Sequence, residues 1–351
     1  MTRMRKAAGA AALLLLTACP IPRELREVPA PPVNGDLLVS VNQLQGRLND
    51  ASTVILHVGR NRADYDAGHI PGARWLPLSS IVTEREGVPN ELPSVEALDA
   101  AFEGVGVSDD SRVVVYGDLG GLSAGRAFFT LDYLGHPPAV LNGGLEAWRA
   151  AGKQVSTAEP AARRGTFTPR PRPEIVVDAA WVRDHLRDST VALIDARPPE
   201  QYSGAEAGEG VTRPGHVTGA RNLFWRNTLV SEANPVLRSP EVLRALYRLG
   251  GARFASDVEI IPRRERPDYA DTSAAARRAR RGRQPERQNR GPTPRPVGST
   301  VVTYCRTGVQ ASWDYFVARY LGYQTRMYDA SYLDWSRRGA DFPVERTAGG
   351  Q

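Results

Sequence analysis

The sequence predicts an α/β protein made of two domains, each a parallel sheet flanked by helices, and three observations carry that prediction. The first is duplication: Gly68-His69-Ile70-Pro71-Gly72-Ala73-Arg74 returns 147 residues later as Gly215-His216-Val217-Thr218-Gly219-Ala220-Arg221. Val113-Val114-Val115-Tyr116-Gly117 returns as Val301-Val302-Thr303-Tyr304-Cys305 at an offset of 188, and Leu134-Gly135-His136 as Leu321-Gly322-Tyr323 at 187. A repeat of that length sets the architecture before any local propensity does. The second is alternation of short β-branched runs with helical patterns, the signature of strands joined by helical crossovers. The third is size and composition. A chain of 351 residues, 41% hydrophobic and 24% charged, suits two ordinary globular cores and excludes a fibrous, wholly disordered or polytopic membrane protein.

Taken in order, residues 53–58 and 112–116 read as buried strands of the first copy, and 191–195 and 300–304 as their counterparts in the second. Segments 94–102 and 239–249 open on a serine suited to capping, and 124–134 and 311–321 carry helical spacing. The domains are then 36–157 and 174–346, joined by a Pro- and Arg-rich linker at 158–173. Because the offset grows from 147 to 188, the second copy carries an insertion of about 41 residues, placed at 262–298. That stretch has eleven arginines against four acids, one aromatic and no apolar period, so it cannot bury enough surface to order itself. Its functional alternative is electrostatic contact with anionic lipid head groups or lipopolysaccharide near the anchor. It also changes the meaning of the net charge of +6: the insertion alone holds +7, leaving −1 elsewhere. No nucleic-acid partner is expected, since the basic stretch lacks stacking aromatics.

The amino terminus has a basic start, Arg3, Arg5 and Lys6, then twelve mostly apolar residues from Ala7 to Ala18. That is too short to span a bilayer, which takes about 20 residues, and reads as an export signal over residues 1–18. Its ending, Leu16-Thr17-Ala18-Cys19, resembles a bacterial lipoprotein signal, with Cys19 the lipidated residue. An incidental cysteine at an ordinary cleavage site is the competing reading. With Pro20 next and a Pro-rich tether over 19–35, the expectation is a periplasmic protein lipid-anchored to the outer membrane.

Two cysteines, Cys19 and Cys305, exclude a disulfide framework and a cysteine-built zinc site, and no metal or cofactor is expected. Cys305 follows the apolar run Val301-Val302-Thr303-Tyr304 and precedes Arg306-Thr307-Gly308-Val309-Gln310 and a helix. A strand, a tight loop and a helix amino terminus aim several N–H groups at one point, where an anion is stabilised. On that ground the Cys305 thiol is expected below its ordinary pKa, making it a nucleophile.

These residues, with Leu193-Ile194-Asp195-Ala196-Arg197, the duplicated Gly-His turns and the closing Gly143-Gly144-Leu145-Glu146-Ala147-Trp148 and Tyr332-Leu333-Asp334-Trp335 segments, resemble the tandem-domain rhodaneses, the thiosulfate and 3-mercaptopyruvate sulfurtransferases. The resemblance covers about residues 36–346. It implies two rhodanese-like domains with activity in the second only, where the cysteine carries a sulfane sulfur as a persulfide from a small sulfur-containing anion to cyanide or a thiol. Gly117 stands at the cysteine position of the first copy, which fits an inactive domain. Carried over by position, Cys305 is the nucleophile, the backbone of Arg306, Thr307, Gly308, Val309 and Gln310 cradles the sulfur, and Arg306 and Arg197 hold the substrate anion. Arg197 has an alternative as an ion-pair partner of Asp195 or Glu200. His216, repeated as His69 in the inactive copy, reads as structural.

One departure bears on substrate. Thiosulfate enzymes of the family commonly follow the cysteine with Arg then Lys, and mercaptopyruvate enzymes with Gly then Ser or Ala; Arg306 and Thr307 match the first type at one position, which favours thiosulfate. Phosphatases that share the fold need an Arg six positions after the cysteine, where this chain has Ala311. Other readings are a protein persulfide carrier and a non-catalytic partner-binding module. A monomer is expected.

Overall fold

The computed structural model describes residues 32–161, 163–254 and 299–347. The signal segment, Cys19 and the Arg-rich stretch 262–298 lie outside the described residues.

The first copy runs β1 (Leu38–Val39), α1 (Val41–Gln45), β2 (Thr53–Gly59), α2 (Arg62–Asp66), β3 (Arg74–Pro77), β4 (Thr83–Arg85), β5 (Val88–Glu91), α3 (Val95–Gly104), β6 (Arg112–Gly117), α4 (Leu122–Tyr133), β7 (Ala139–Leu141) and α5 (Gly144–Ala150). The second runs β8 (Val176–Val177), α6 (Ala179–Asp184), β9 (Val191–Asp195), α7 (Pro199–Ser203), β10 (His216–Val217), β11 (Arg221–Asn222), α8 (Pro240–Leu249), β12 (Thr300–Tyr304), α9 (Val309–Leu321), β13 (Gln324–Tyr328), α10 (Ser331–Arg337) and β14 (Val344–Glu345). Each copy builds a five-stranded parallel sheet, in the orders β1-β7-β6-β2-β3 and β8-β13-β12-β9-β11, so the two sheets match strand for strand.

Local chemistry explains the elements. The central strands β2, β6, β9 and β12 are buried on both faces, as parallel strands sandwiched between helices must be. Ser94 caps α3 by accepting the Ala97 N–H at 3.2 Å, and Ser239 caps α8. The β4–β5 hairpin and the antiparallel β10–β14 pair were too short to show in the sequence pattern. The Gly-His turns are duplicated in detail. His69 stacks on Tyr65 and His216 on Tyr202, each with ring centroids 3.8 Å apart, and each Nδ1 lies 2.9 Å from that tyrosine's carbonyl. Both histidines are buried, and the shared arrangement is structural.

The copies share a core. Phe128 and Phe129 of α4 meet Tyr315 and Phe316 of α9 with ring centroids 4.9–6.4 Å apart, and residues of both sheets join one apolar cluster. At Gly125 an added Cβ would lie 2.9 Å from the Trp313 Cα, so α4 and α9 pack backbone to backbone there. Asp132 of α4 is buried and takes Arg319 and the Tyr315 hydroxyl of α9 together with Arg172. The described ends of the Pro-rich segments are tied down. Asn34 donates to the carbonyls of Tyr320 and Arg319, and the linker is tied by Arg170 and Arg172 N–H groups to the end of α4 with Phe167 buried. Among the described residues no helix is long and apolar enough to cross a membrane.

Candidate active site

Register places the site. Tyr304 of β12 pairs with Asp195 of β9, as Tyr116 of β6 pairs with His57 of β2, so Cys305 and Gly117 emerge at equivalent carboxyl ends of their sheets. That edge is where open parallel α/β sheets bind ligands. After Cys305 the chain turns through Gly308, at φ +92°, into α9. A Cβ at Gly308 would lie 2.9 Å from Asp329 Oδ1, so the close curl requires glycine. No side chain caps α9, and its amino-terminal N–H groups serve the sulfur instead: Gly308 N–H donates to Cys305 Sγ at 3.1 Å.

The loop is held from behind. Cys305 N–H donates to Ser331 Oγ at 3.2 Å, and Tyr332 and Leu333 donate to the carbonyls of Cys305 and Arg306 at 2.9 and 3.0 Å. The first copy reaches across as well. Asn90 Nδ2 donates to Thr307 Oγ1 at 3.1 Å, Leu92 N–H donates to Asp329 Oδ2 at 2.7 Å, and buried Arg126 pairs with Asp329 at 2.6 Å directly behind Gly308.

Cys305 is 2% exposed and sits in a cavity of about 350 Å³. Arg306, Thr307, Val309, Gln310 and Gln201 line it from the second copy, and Arg60, Leu78, Asn90, Leu119 and Leu122 from the first. A larger cavity, about 580 Å³, lies between the β4–β5 hairpin and β8 and β13, but it does not contain the cysteine. The nucleophile, not the volume, decides which is the candidate site.

The loop residues expected from the sequence therefore come together around the sulfur, and two expectations change. Burial pushes the Cys305 thiol up from its ordinary value, and the N–H groups of Ala311, Thr307, Gln310 and Gly308 pull it only part of the way back. The expected lowering is thus corrected: 2% exposure outweighs the ring of amides. Arg197 does not line the cavity. It is fully buried, with Nη2 on Asp195 Oδ2 at 2.5 Å and on the Gly215 carbonyl at 2.8 Å, and its guanidinium lies 4.0 Å over the Tyr332 ring. An arginine two residues after the strand-end acid folds back on that acid, so the ion-pair alternative holds and the substrate contact does not. Gln201, one turn along α7, is the residue that reaches the cavity from this segment. Sequence reasoning missed it and missed every first-copy residue of the wall; only a three-dimensional arrangement brings Arg60, Asn90 and Leu119 to Cys305. Cys19 lies outside the described residues.

Comparison with known proteins decides the family. The model of the rhodanese-like domain matches residues 40–151 and again 178–262. The chain belongs to the rhodanese family. Its relatives include a thiosulfate sulfurtransferase of Pseudomonas aeruginosa, 28% identical over 312 residues that cover 88% of this chain and 97% of that protein. A sulfur carrier protein of Thermus thermophilus is 28% identical over 315 residues, covering 86% of this chain and 93% of that one. Among solved structures, the anaerobic ergothioneine biosynthesis enzyme of Chlorobium limicola superposes with a TM-score of 0.69 at 20% identity, over 89% of this chain and 71% of that one, which speaks to the rhodanese fold alone.

Proposed function

We propose that this protein is a sulfurtransferase that moves sulfane sulfur from thiosulfate to a thiol or cyanide through a persulfide on Cys305. The observation that carries the reading is the placement of Cys305 Sγ. It lies at the end of a central parallel strand, bonded by the Gly308 N–H at 3.1 Å and open to a cavity that, among the described residues, is lined by two arginines and no acid. Relatives named for thiosulfate and for 3-mercaptopyruvate support the reaction class.

In the first half-reaction the Cys305 thiolate attacks the outer sulfur of thiosulfate. The new S–S bond forms as the old one breaks, and sulfite leaves with the electron pair. In the second, the acceptor thiolate or cyanide attacks the outer sulfur of the persulfide and the Cys305 thiolate leaves. Electrons and atoms balance without an external oxidant. The loop N–H groups stabilise negative charge on sulfur in both halves, as preorganised donors do for any developing anion. Because burial raises the thiol, the reactive thiolate fraction grows with pH through the neutral range. The first half-reaction is expected to accelerate accordingly, with no plateau before alkaline pH.

Arg306 favours thiosulfate, while a thiol-bearing protein as acceptor would make the same chemistry that of a sulfur carrier. The test is thiocyanate formation from cyanide by the full chain, with thiosulfate and 3-mercaptopyruvate compared as donors and Cys305→Ser as control. Turnover with thiosulfate that is lost in the control supports the reading. No turnover with either donor, from protein whose Cys305 still alkylates, would move the function to persulfide transfer between proteins or to partner binding.

We further propose export and lipid attachment through Cys19, which the basic and apolar run before it supports. Cys19→Ser should move the protein from the membrane to the soluble fraction; an unchanged distribution would overturn the anchor.

A further inference from the structure

With Arg197 withdrawn into an ion pair, the charged side chains among the described residues that line the Cys305 cavity are Arg60 and Arg306. They are not equivalent. Arg306 Nη1 donates to the Glu209 carbonyl at 3.0 Å and lies 3.6 Å from the Glu209 carboxylate, so its charge is partly answered within the second copy. Arg60, on the first copy, has one acidic neighbour. Its Nε lies 4.0 Å from Asp118 Oδ2, an oxygen that already accepts the Arg60 backbone N–H at 2.9 Å, while the other Asp118 oxygen takes the Ser123 hydroxyl. Asp118 therefore fixes the Arg60 backbone and leaves most of the guanidinium fork unused among the described residues.

The wall beside Arg60 is the first copy's own version of the catalytic loop. The repeat offset is 188 before the two loops and 187 after them, so the first loop is one residue longer. It spends that length on a tight turn, Leu119–Gly121, with Leu119 at φ +58° on the cavity wall. The turn is fixed against the second copy: added Cβ atoms would lie 3.3 Å from Trp225 at Gly120 and 2.7 Å from Trp313 at Gly121. The copy without a cysteine thus presents an apolar face and one cation toward the cysteine of the other.

Resting on the sulfurtransferase reading, we infer that Arg60 of the first copy binds the anionic end of the sulfur donor, a sulfonate or carboxylate, across the cleft from Cys305. The Arg60 side chain is 64% exposed at the cavity rim, where its guanidinium supplies parallel donors that match two oxygens of either group. Arg60 is a specificity residue and takes no part in bond making.

The test uses the full chain and two alkylating reagents of similar size and different charge, iodoacetate and iodoacetamide, with modification read at the Cys305 peptide. Arg60→Ala should slow iodoacetate about threefold more than iodoacetamide, the weight of one solvent-screened charge contact. Arg60→Glu should widen the gap and Arg60→Lys should restore part of the preference. In turnover, Arg60→Ala should raise KM for thiosulfate and for 3-mercaptopyruvate and leave KM for cyanide unchanged. Equal effects on both reagents, or none, would overturn the assignment. Parent protein that alkylates with this charge preference but turns over neither donor would keep Arg60 as the anion site and overturn the sulfurtransferase reading alone.

Discussion

The two loops that end β6 and β12 start from the same topology and the same preceding tyrosine, and they differ in what the strand end can hold. At Cys305 the loop is open, Gly308 turns its N–H to the sulfur, and a cavity lies above it. At Gly117 an added Cβ would lie 2.3 Å from the Val58 carbonyl, and the Asp118 N–H already donates to that carbonyl at 3.2 Å. The first loop has closed on the neighbouring strand β2 and uses its extra residue to reach the second copy. Duplication has yielded one site with walls from both copies. The first copy, with Gly117 at the cysteine position, is part of the site's wall as well as its scaffold.

The comparison breaks most visibly at the two strand ends themselves. Cys305→Ser should cost at least about 10³-fold in sulfur transfer, since no other group among the described residues offers a thiolate. Gly117→Cys in that background should restore nothing and should lower stability by about 1–3 kcal/mol, the usual cost of overpacking; turnover assays and denaturant titration check both parts. Recovered activity would show that the first loop can hold a working cysteine despite its closure.

A second effect tests the brace that joins the copies behind the active loop. Asp329→Ala leaves buried Arg126 without its carboxylate, and a broken buried ion pair costs about 3–5 kcal/mol. Urea unfolding should show a loss of that size, with turnover of the folded fraction reduced because Gly308 loses its backing. Smaller again is Gly308→Ala. Its φ of +92° imposes strain of about 1–2 kcal/mol on any other residue, and the methyl would press on Asp329. Alkylation of Cys305 should change more than the melting temperature does.

The smallest effect is a pH dependence at the same brace. Glu91, next to Leu92 and partly buried, is pushed up to about 7 from 4.5, first by burial and then by the Asp329 charge. A carboxyl raised in the folded state favours folding while protonated, so its contribution is present below about pH 4.5 and is lost as pH rises through about 7. Glu91→Gln should flatten the fall in melting temperature across that window. An unchanged profile would place the titration elsewhere.

Much of the fold was legible because duplication supplies its own alignment. The central strands needed only β-branched runs, and the serines at 94 and 239 marked two helix starts. The loop around Cys305 was legible because strand, loop and helix are contiguous in sequence. What escaped was whatever depends on the second copy meeting the first. Arg60, Asn90 and Leu119 lie far from Cys305 in sequence and share no pattern with it. Arg197 was misplaced because its spacing from the strand end fits both a substrate contact and an ion pair with Asp195, and burial chose the ion pair. The thiol's direction was misjudged because helix-end amides can be read from sequence while the depth of the sulfur cannot.

The central claim is that Cys305 accepts a sulfur atom and that Gly117 and its loop leave it the sole acceptor of the paired domains. The most direct measurement is peptide mass mapping of the full chain after exposure to thiosulfate. The account predicts the mass of one sulfur atom on the peptide that holds Cys305, removed by cyanide and absent from Cys305→Ser. An unmodified Cys305 peptide, in protein whose cysteine still reacts with iodoacetamide, would contradict it.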